Sequence, residues 1–416
     1  MANTDQHFDV IISGGGLSGS LMALSLSQLT KADGRLLSIA IVESQAVNQE
    51  TPVEQSTLFD ARVLALSHGS AHYLDELGAW KYLKEQACAI SDIDISDRGH
   101  FAKTRLTASE HGVNALGYVI DMALIGKAQL AALKEINKTK NNLQWFSPDS
   151  VTDIEWQSKA QSAQVEVSLS ANKRITAKLL LACDGVQSPV RKLANIEVTR
   201  DDYQQVALIA NVVTSKPHQH KAFERFTEFG PIAMLPLTSV KAGVSRCSLV
   251  WTMTPEQAEH IQSLDDDAFN VELERAFGSY LGAIIQVGKR DIYPLILLQA
   301  QQQTYHRMAL VGNSSHTIHP IAGQGFNLGL RDVKKMAELV KKALAAEQDI
   351  GNFSLLQAYQ INRKKDQQQI INLTDSLVTL FANDLAPLVI GRNIGLHVVN
   401  VVSPFKNALV KKTMGY

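Results

Sequence analysis

The chain has 416 residues, 45% of them hydrophobic and 19% charged, with a formal net charge of −1. This is ordinary globular composition, long enough for two or three packed units, and it has no basic excess of the kind nucleic-acid binding needs. Cys88, Cys183 and Cys247 stand far apart without a CxxC pair, which suits a reducing compartment and offers neither a disulfide framework nor a metal set.

The first apolar run, Phe8-Asp9-Val10-Ile11-Ile12-Ser13, flows into Gly14-Gly15-Gly16-Leu17-Ser18-Gly19 and then a helix-like stretch from Leu21 to Leu29. The pattern predicts a strand, a tight glycine turn and a helix start. Gly14 permits the turn, Gly16 lets backbone approach a pyrophosphate, and Gly19 lets the helix pack close to the strand. The helix start then offers free N–H groups and a positive dipole end. A second short strand, Ser38-Ile39-Ala40-Ile41-Val42, is closed by Glu43. An acid about 20 residues beyond the glycines suits the hydroxyls of a ribose. FAD and NAD both satisfy this fingerprint, and the acid disfavours a 2′-phosphate.

Further along, Asp92 to Asp97 alternates as a strand does, and Gly117-Tyr118-Val119-Ile120 precedes a helix with Leu124, Ala128, Leu130 and Leu133 on one side. Short strands are predicted at Val151–Ile154, Val165–Leu169 and Leu179–Ala182. The last of these runs into Cys183-Asp184-Gly185-Val186-Gln187-Ser188-Pro189-Val190-Arg191. Asp-Gly alone is a turn, but an acid at a strand end is where an open sheet gathers ligands. Residues 203–300 are strand-rich, for example at Val206–Ala210 and Cys247–Trp251. His218 and His220 lie in this stretch without the Cys or acid neighbours a metal site needs.

A late block follows: the strand Met308-Ala309-Leu310-Val311-Gly312, then Asn313-Ser314-Ser315-His316-Thr317-Ile318-His319-Pro320, and a helix opened by Gly323-Gln324-Gly325. This is a second glycine-gated helix N-terminus, with unpaired N–H groups and a positive dipole end. A strong helical pattern runs from Asp332 to Ala345, and the remainder reads as mostly helical. The polar N-terminus shows no signal peptide, and no run of about 18 apolar residues is present, so a cytoplasmic protein is expected. The apolar stretches at Leu377–Phe381, Leu385–Ile390 and Leu396–Val399, with Lys406, Lys411 and Lys412 beyond, have two readings. They are helices docked on the core or a second subunit, or a greasy, mildly basic surface peripheral to the inner face of a membrane.

With these three blocks in this order, the chain resembles the FAD-dependent aromatic hydroxylases of the para-hydroxybenzoate hydroxylase type. Within them it is similar to the ubiquinone-biosynthesis hydroxylases, above all those acting on 2-polyprenyl-6-methoxyphenols. The segments carrying the finer likeness are Asp60–Ser67, Ala222–Thr227, Gly230–Pro236, Tyr293–Leu295 and His319–Gly329, with Ser96–His100 and Gly391–Leu396. The resemblance implies an α/β fold: a Rossmann-like FAD-binding domain with a mixed β-sheet substrate domain inserted and a helical C-terminal segment. The division expected is FAD-binding 1–75, 112–195 and 305–345, substrate 76–111 and 196–304, and helical 346–416.

The resemblance also implies FAD as cofactor, NAD(P)H as a transient reductant, O2 and a polyprenylated phenol as substrates, and other quinone-biosynthesis proteins as partners. A second dinucleotide fingerprint is not visible, which agrees with a reductant that only visits. Gly14, Gly15, Gly16 and Gly19 would hold the pyrophosphate, and Glu43 the adenosine ribose. Arg62 would lie near the flavin or pyrophosphate, and Asp184 with Gly185 would approach the pyrophosphate. Asn313 would hold the ribityl chain where most of the wider family has Asp, a neutral contact in place of a charge-assisted one. Pro320, Gly323, Gln324 and Gly325 would line the isoalloxazine, and Asn327 would also bind the cofactor. His316 or His319 would orient or deprotonate the phenol, and the apolar stretches Phe229–Leu237 and Tyr293–Leu298 would line a dry pocket. The other readings are a hydroxylase of a different ring position in the same pathway, a flavin dehydrogenase or oxidase without oxygen insertion, and a scaffold within a biosynthetic complex.

Overall fold

Five parallel strands form the centre of the first sheet. In spatial order they are Met308–Leu310, Arg174–Ala182, Gln6–Ser13, Ile39–Val42 and Leu143–Phe146. Antiparallel additions lie at Thr304–Tyr305 and at the pair Val151–Gln157 and Gln164–Leu169. The computed structural model describes residues 6–47, 62–98, 103–157, 163–239, 243–318 and 323–381.

The central strands read as near-continuous apolar runs because both faces are covered, as parallel sheets require. Val10, Ile12, Ile39, Ile41, Leu179 and Leu181 point to one side, into a core shared with the helices Leu17–Ser27, Met122–Lys140 and Gln324–Ala345. Ile11, Ala40, Val42, Leu180 and Ala182 point to the other, against the strand pair Val151–Gln157 and Gln164–Leu169. The helix Leu17–Ser27 is enclosed on most sides, so its serines are buried too. Ser20, Ser25 and Ser27 return their hydroxyls to the Gly15, Leu21 and Leu24 carbonyls, which satisfies groups that would otherwise be costly to bury.

The second sheet has nine strands, in the order His316–Thr317, Asp291–Ala300, Val198–Thr214, Ser245–Met253, Gly230–Leu237, Lys221–Thr227, Asp92–Asp97 and Lys103–Thr107, with Ile284–Val287 also on Val198–Thr214. One face is filled by Leu208, Met234, Leu249 and Trp251 packed on the helices Pro255–Ser263 and Asp266–Phe277. A three-stranded sheet, Val63–Ser67, Gly117–Asp121 and Cys88–Ile90, touches its other face. Phe353–Phe381 is the last described helix. No helix among the described residues is long and apolar enough to cross a membrane, and the expected tail segments at 385–412 lie outside the described residues.

Asp9 pins the start of the parallel sheet. It is 4% exposed and accepts from the Ser38 backbone N–H and hydroxyl, Lys31 Nζ at 2.9 Å and Lys178 Nζ at 3.2 Å. Burial alone would raise its pKa; the Ser38 N–H and the two ammonium groups outweigh that and hold it at about 2, against 3.8 in an open chain. The folded value is the lower one, so this stability is fully present above pH 4 and disappears as pH falls toward 2. A shift of that size is worth about 2 kcal/mol. Denaturant titrations across pH 4 to 2 should show Asp9→Asn with a shallower acid loss than the parent; equal slopes would contradict this.

Candidate active site

Open parallel sheets gather ligands at the carboxyl ends of their strands, and here those ends carry the three sequence blocks. Ser13 leads into Gly14, Val42 into Glu43, Ala182 into Cys183-Asp184-Gly185, and Leu310 into Val311-Gly312-Asn313. Gly14, Gly16, Glu43, Asp184, Gly185, Asn313 and Gly325 all line one cleft of about 510 Å3, with Leu64, Met122, Asp149, Ile318 and Phe326. A neighbouring pocket of about 300 Å3 shares Gly16, Leu17 and Met122 and adds Gly15, Ser20, Arg62 and Gly126.

Two glycines let the corners meet. Gly14 has φ +94°, and a Cβ there would lie 2.5 Å from the Cys183 carbonyl oxygen and 2.8 Å from Asp184 Cα. Gly312 has φ +64°, and its Cβ would lie 2.6 Å from Ser18 Oγ. The first block thus touches the second at backbone distance and the third through the Ser18 side chain. The expectation for Gly19 is refined, because its Cβ would strike the Gly14 carbonyl at 1.8 Å, within the turn itself. Arg191 joins the remaining pair of blocks: buried, it donates to the Ser314 carbonyl at 2.7 Å and the Val186 carbonyl at 2.8 Å. This gives the Asp-Gly spacing a structural meaning. Ser188 caps the Pro189–Leu193 turn by accepting from Arg191 N–H, and Asp184 accepts from Val190 N–H.

At Gly16, Gly185 and Gly325, by contrast, an added Cβ would meet nothing within 4 Å. These positions border open space where a ligand's bulk fits. The helix ends agree. Ser67, Thr254 and Asp265 cap their helices with a side chain, whereas the helices starting after Gly16, Asp121 and Gly323 have no side-chain cap. Those three starts border the two cavities through Gly16, Met122 and Gly325. Their positive dipole ends suit an anionic ligand, although at the Asp121 start the Met122 N–H already donates to the Arg62 carbonyl at 3.1 Å. Asp184 adds a buried Oδ1 with no hydrogen-bond partner. Burial raises its pKa against the opposing pull of Ser188, the Val190 N–H and Arg191. Glu43 accepts from Gly15 N–H at 2.7 Å on Oε2, and from Gln45 N–H at 2.9 Å and the Ser44 hydroxyl at 3.2 Å on Oε1, leaving Oε2 a second lone pair for a ribose hydroxyl. A dinucleotide fits this donor set, these open glycines and this polar orphan.

Other expected site residues sit elsewhere. Asn327 is 1% exposed; its amide accepts from Ser67 N–H and donates to the Ala65 and Gly323 carbonyls, so it fixes the late glycine corner to the strand Val63–Ser67. Gln324 is buried, and its side-chain oxygen accepts from Arg331 along the same helix. His316 is 1% exposed, with Nε2 at 2.9 Å from Asp332 Oδ2. It does not line the cleft but joins a buried network. His319 and Pro320 lie outside the described residues. His218 uses both ring nitrogens on backbone, the Leu237 carbonyl and the His220 N–H.

The centre of that network is Asp332, which the sequence reading passed over. It is fully buried and accepts from Gly312 N–H, His316, Arg363 Nε at 2.6 Å and Gln367. Burial would raise its pKa, but the Arg363 guanidinium and His316 hold it at about 2. The readable signal was an acid on an otherwise apolar helical stripe, Leu328, Asp332 and Met336 at four-residue spacing.

Gly14→Ala should cost about 2 to 4 kcal/mol, because it combines positive-φ strain with a backbone collision. Gly16→Ala, at φ −66° in open space, should stay within about 0.5 kcal/mol of the parent ligand-free protein. Chemical denaturation separates them, and equal losses would contradict the geometry. Asp332→Asn takes the buried carboxylate from His316 and from Arg363, which keeps Asp366 at 2.7 Å, and should cost about 3 kcal/mol. A variant melting with the parent would contradict that network.

The comparisons with known proteins agree with this geometry. A family model described as an FAD binding domain matches residues 7–374. Ubiquinone hydroxylase UbiL of Rhodospirillum rubrum is 31% identical over 418 residues, covering 99% of this chain and 91% of that protein. The mitochondrial ubiquinone biosynthesis monooxygenase COQ6 of Homo sapiens is 27% identical over 453 residues, covering 98% and 93%. The crystal structure of p-nitrophenol 4-monooxygenase PnpA from Pseudomonas putida shares the fold, with a TM-score of 0.73, 17% identity and 99% of each chain covered. The chain therefore belongs to the FAD-binding-domain family of flavoprotein aromatic-ring monooxygenases.

Proposed function

We propose that this monooxygenase hydroxylates the ring of a polyprenylated methoxyphenol intermediate of ubiquinone biosynthesis, using NAD(P)H and O2. The observation that carries the reading is the single cleft that collects the first glycine turn, the Asp-Gly corner and the late glycine helix start. The names of the UbiL and COQ6 relatives support the pathway. When bound, FAD supplies the redox chemistry: it accepts hydride from NAD(P)H and activates O2 for insertion into an electron-rich ring.

The chain's own residues bind, orient and keep the site dry. Gly16 and the uncapped helix start beyond it take the pyrophosphate, with Arg62 beside them, and Glu43 takes the adenosine ribose. Asp184 and Gly185 close on the pyrophosphate from the next strand end. Burial raises the pKa of Asp184 above the ordinary carboxylate value. Asn313 faces the cleft and accepts from a ribityl hydroxyl. The helix start at Gly323 and Gly325 would hold the flavin ring, and a partly buried helix end would stabilise negative charge there by up to about 2 kcal/mol. The prenyl tail of the substrate needs an apolar route. Residues 382–416, with their apolar runs and Lys406, Lys411 and Lys412, are the segment we assign to a membrane surface or to other quinone-biosynthesis proteins.

Purified protein should show a flavin spectrum. A prenylated 6-methoxyphenol should accelerate its NAD(P)H oxidation and yield a ring-hydroxylated product carrying oxygen-18 from labelled O2. Flavin reduction without label in the product would replace the hydroxylase reading with a dehydrogenase or oxidase; label at another carbon would move the ring position.

A further inference from the structure

One carboxylate on the second sheet, Glu224, makes no hydrogen bond or ion pair among the described residues. A single register row crosses five adjoining strands: Ile95, Glu224, Ala233, Val250 and Ile209. All five side chains are half-buried. Their neighbours on the opposite face, among them Met234, Leu249 and Leu208, are fully buried against helices. The described residues therefore cover one face completely and this row only in part.

The flanks of the row locate it. On one side Ala222, Leu235 and Leu237 pack on Val63 of the strand Val63–Ser67. Two residues on, Ala65 abuts Gly323, where an added Cβ would come within 2.8 Å of it. On the other side Leu297 packs on Ile318 and on Leu328 of the helix that Gly323 opens. The row therefore lies between two apolar clusters that reach toward the late glycine corner, one through Val63 and Ala65 and the other through Ile318 and Leu328. Glu224 has no hydrogen-bond or ionic partner among the described residues.

Resting on the hydroxylase reading above, we propose that Glu224 is a catalytic residue that takes the hydroxyl proton of the bound phenol. The O–H bond breaks, its electron pair stays on the phenol oxygen, and the proton moves to the carboxylate. The ring gains electron density for attack on oxygen derived from O2. NAD(P)H supplies the two electrons that reduce the second oxygen atom to water. The ring hydrogen leaves as a proton when aromaticity returns, and Glu224 releases its own proton to complete the cycle.

The carboxyl is suited to this transfer. Burial, and no neighbouring charge, pushes its pKa up to about 7, nearer that of a phenol and near working pH, where general bases act best. Other charged or titratable groups turned to this face are Asp97, Arg246, Asp291 and Tyr293, with Asp121 on the strand pair opposite. Arg246 is drawn to Asp121, and Asp291 pairs with Lys289 at 2.6 Å.

The test uses flavin-loaded parent and Glu224→Gln with 2-geranyl-6-methoxyphenol as probe. The parent's kcat should rise with pH through about 7 and then level. Glu224→Gln should lose roughly a hundredfold in kcat and lose that pH limb, with flavin content and KM within about twofold. Phenolate absorbance on probe binding to the oxidised protein should appear in the parent and be absent in the variant. An unchanged kcat with the same pH limb would overturn the proposal. So would loss of flavin or of cooperative melting in the variant, since that would make Glu224 a structural group. A parent that hydroxylates no phenol defeats the hydroxylase reading itself, and this proposal with it.

Discussion

The architecture depends on contacts between corners too close to admit a side chain. Gly14 lies against the Cys183 carbonyl and Asp184, and Gly312 lies against Ser18. Each contact ties the first strand's turn to the end of another parallel strand. Strand ends only a few ångströms apart create a continuous rim of backbone N–H groups, and a dinucleotide long enough to cross several strands needs such a rim. A methyl group at Gly14 would strike backbone and force these corners apart, whereas at Gly312 it would meet the Ser18 hydroxyl.

A second layer holds the rim in place with buried polar groups. Arg191 connects the Asp-Gly corner to the late block, Asn327 connects the late helix start to Val63–Ser67, and Asp332 gathers Gly312, His316 and Arg363. Each of these side chains is engaged with the scaffold. They fix where Gly16, Asn313 and Gly325 stand, because such buried groups are costly to leave unpaired. The division of labour is clear in the late block, where the charged and amide side chains serve the scaffold while its backbone and glycines face the cleft.

Much of this was legible in the sequence. The strand-turn-helix at residues 8–27, the acid at Glu43 and the Asp-Gly corner all fall at strand ends, because apolar runs and glycine punctuation report local backbone directly. Side-chain destinations were less legible. His316, Gln324 and Asn327 lie in a motif rich in polar residues, and the linear pattern does not say which of them turns inward. Inward turning depends on partners far along the chain, such as Arg363 for Asp332 and Ser67 for Asn327. Glu224 was visible only as part of a family-like segment; its alternation with Ala222 and Phe226 placed an acid on an apolar face, but the half-buried row around it needs four other strands.

The central claim is that the three glycine-bearing corners form one flavin site. A diffraction structure of the flavin-loaded protein tests it most directly. The account predicts adenosine ribose at Glu43, pyrophosphate against Gly16 and the isoalloxazine edge at Gly325. Flavin density with its ring away from Gly325, or its phosphates away from Gly16, would contradict it.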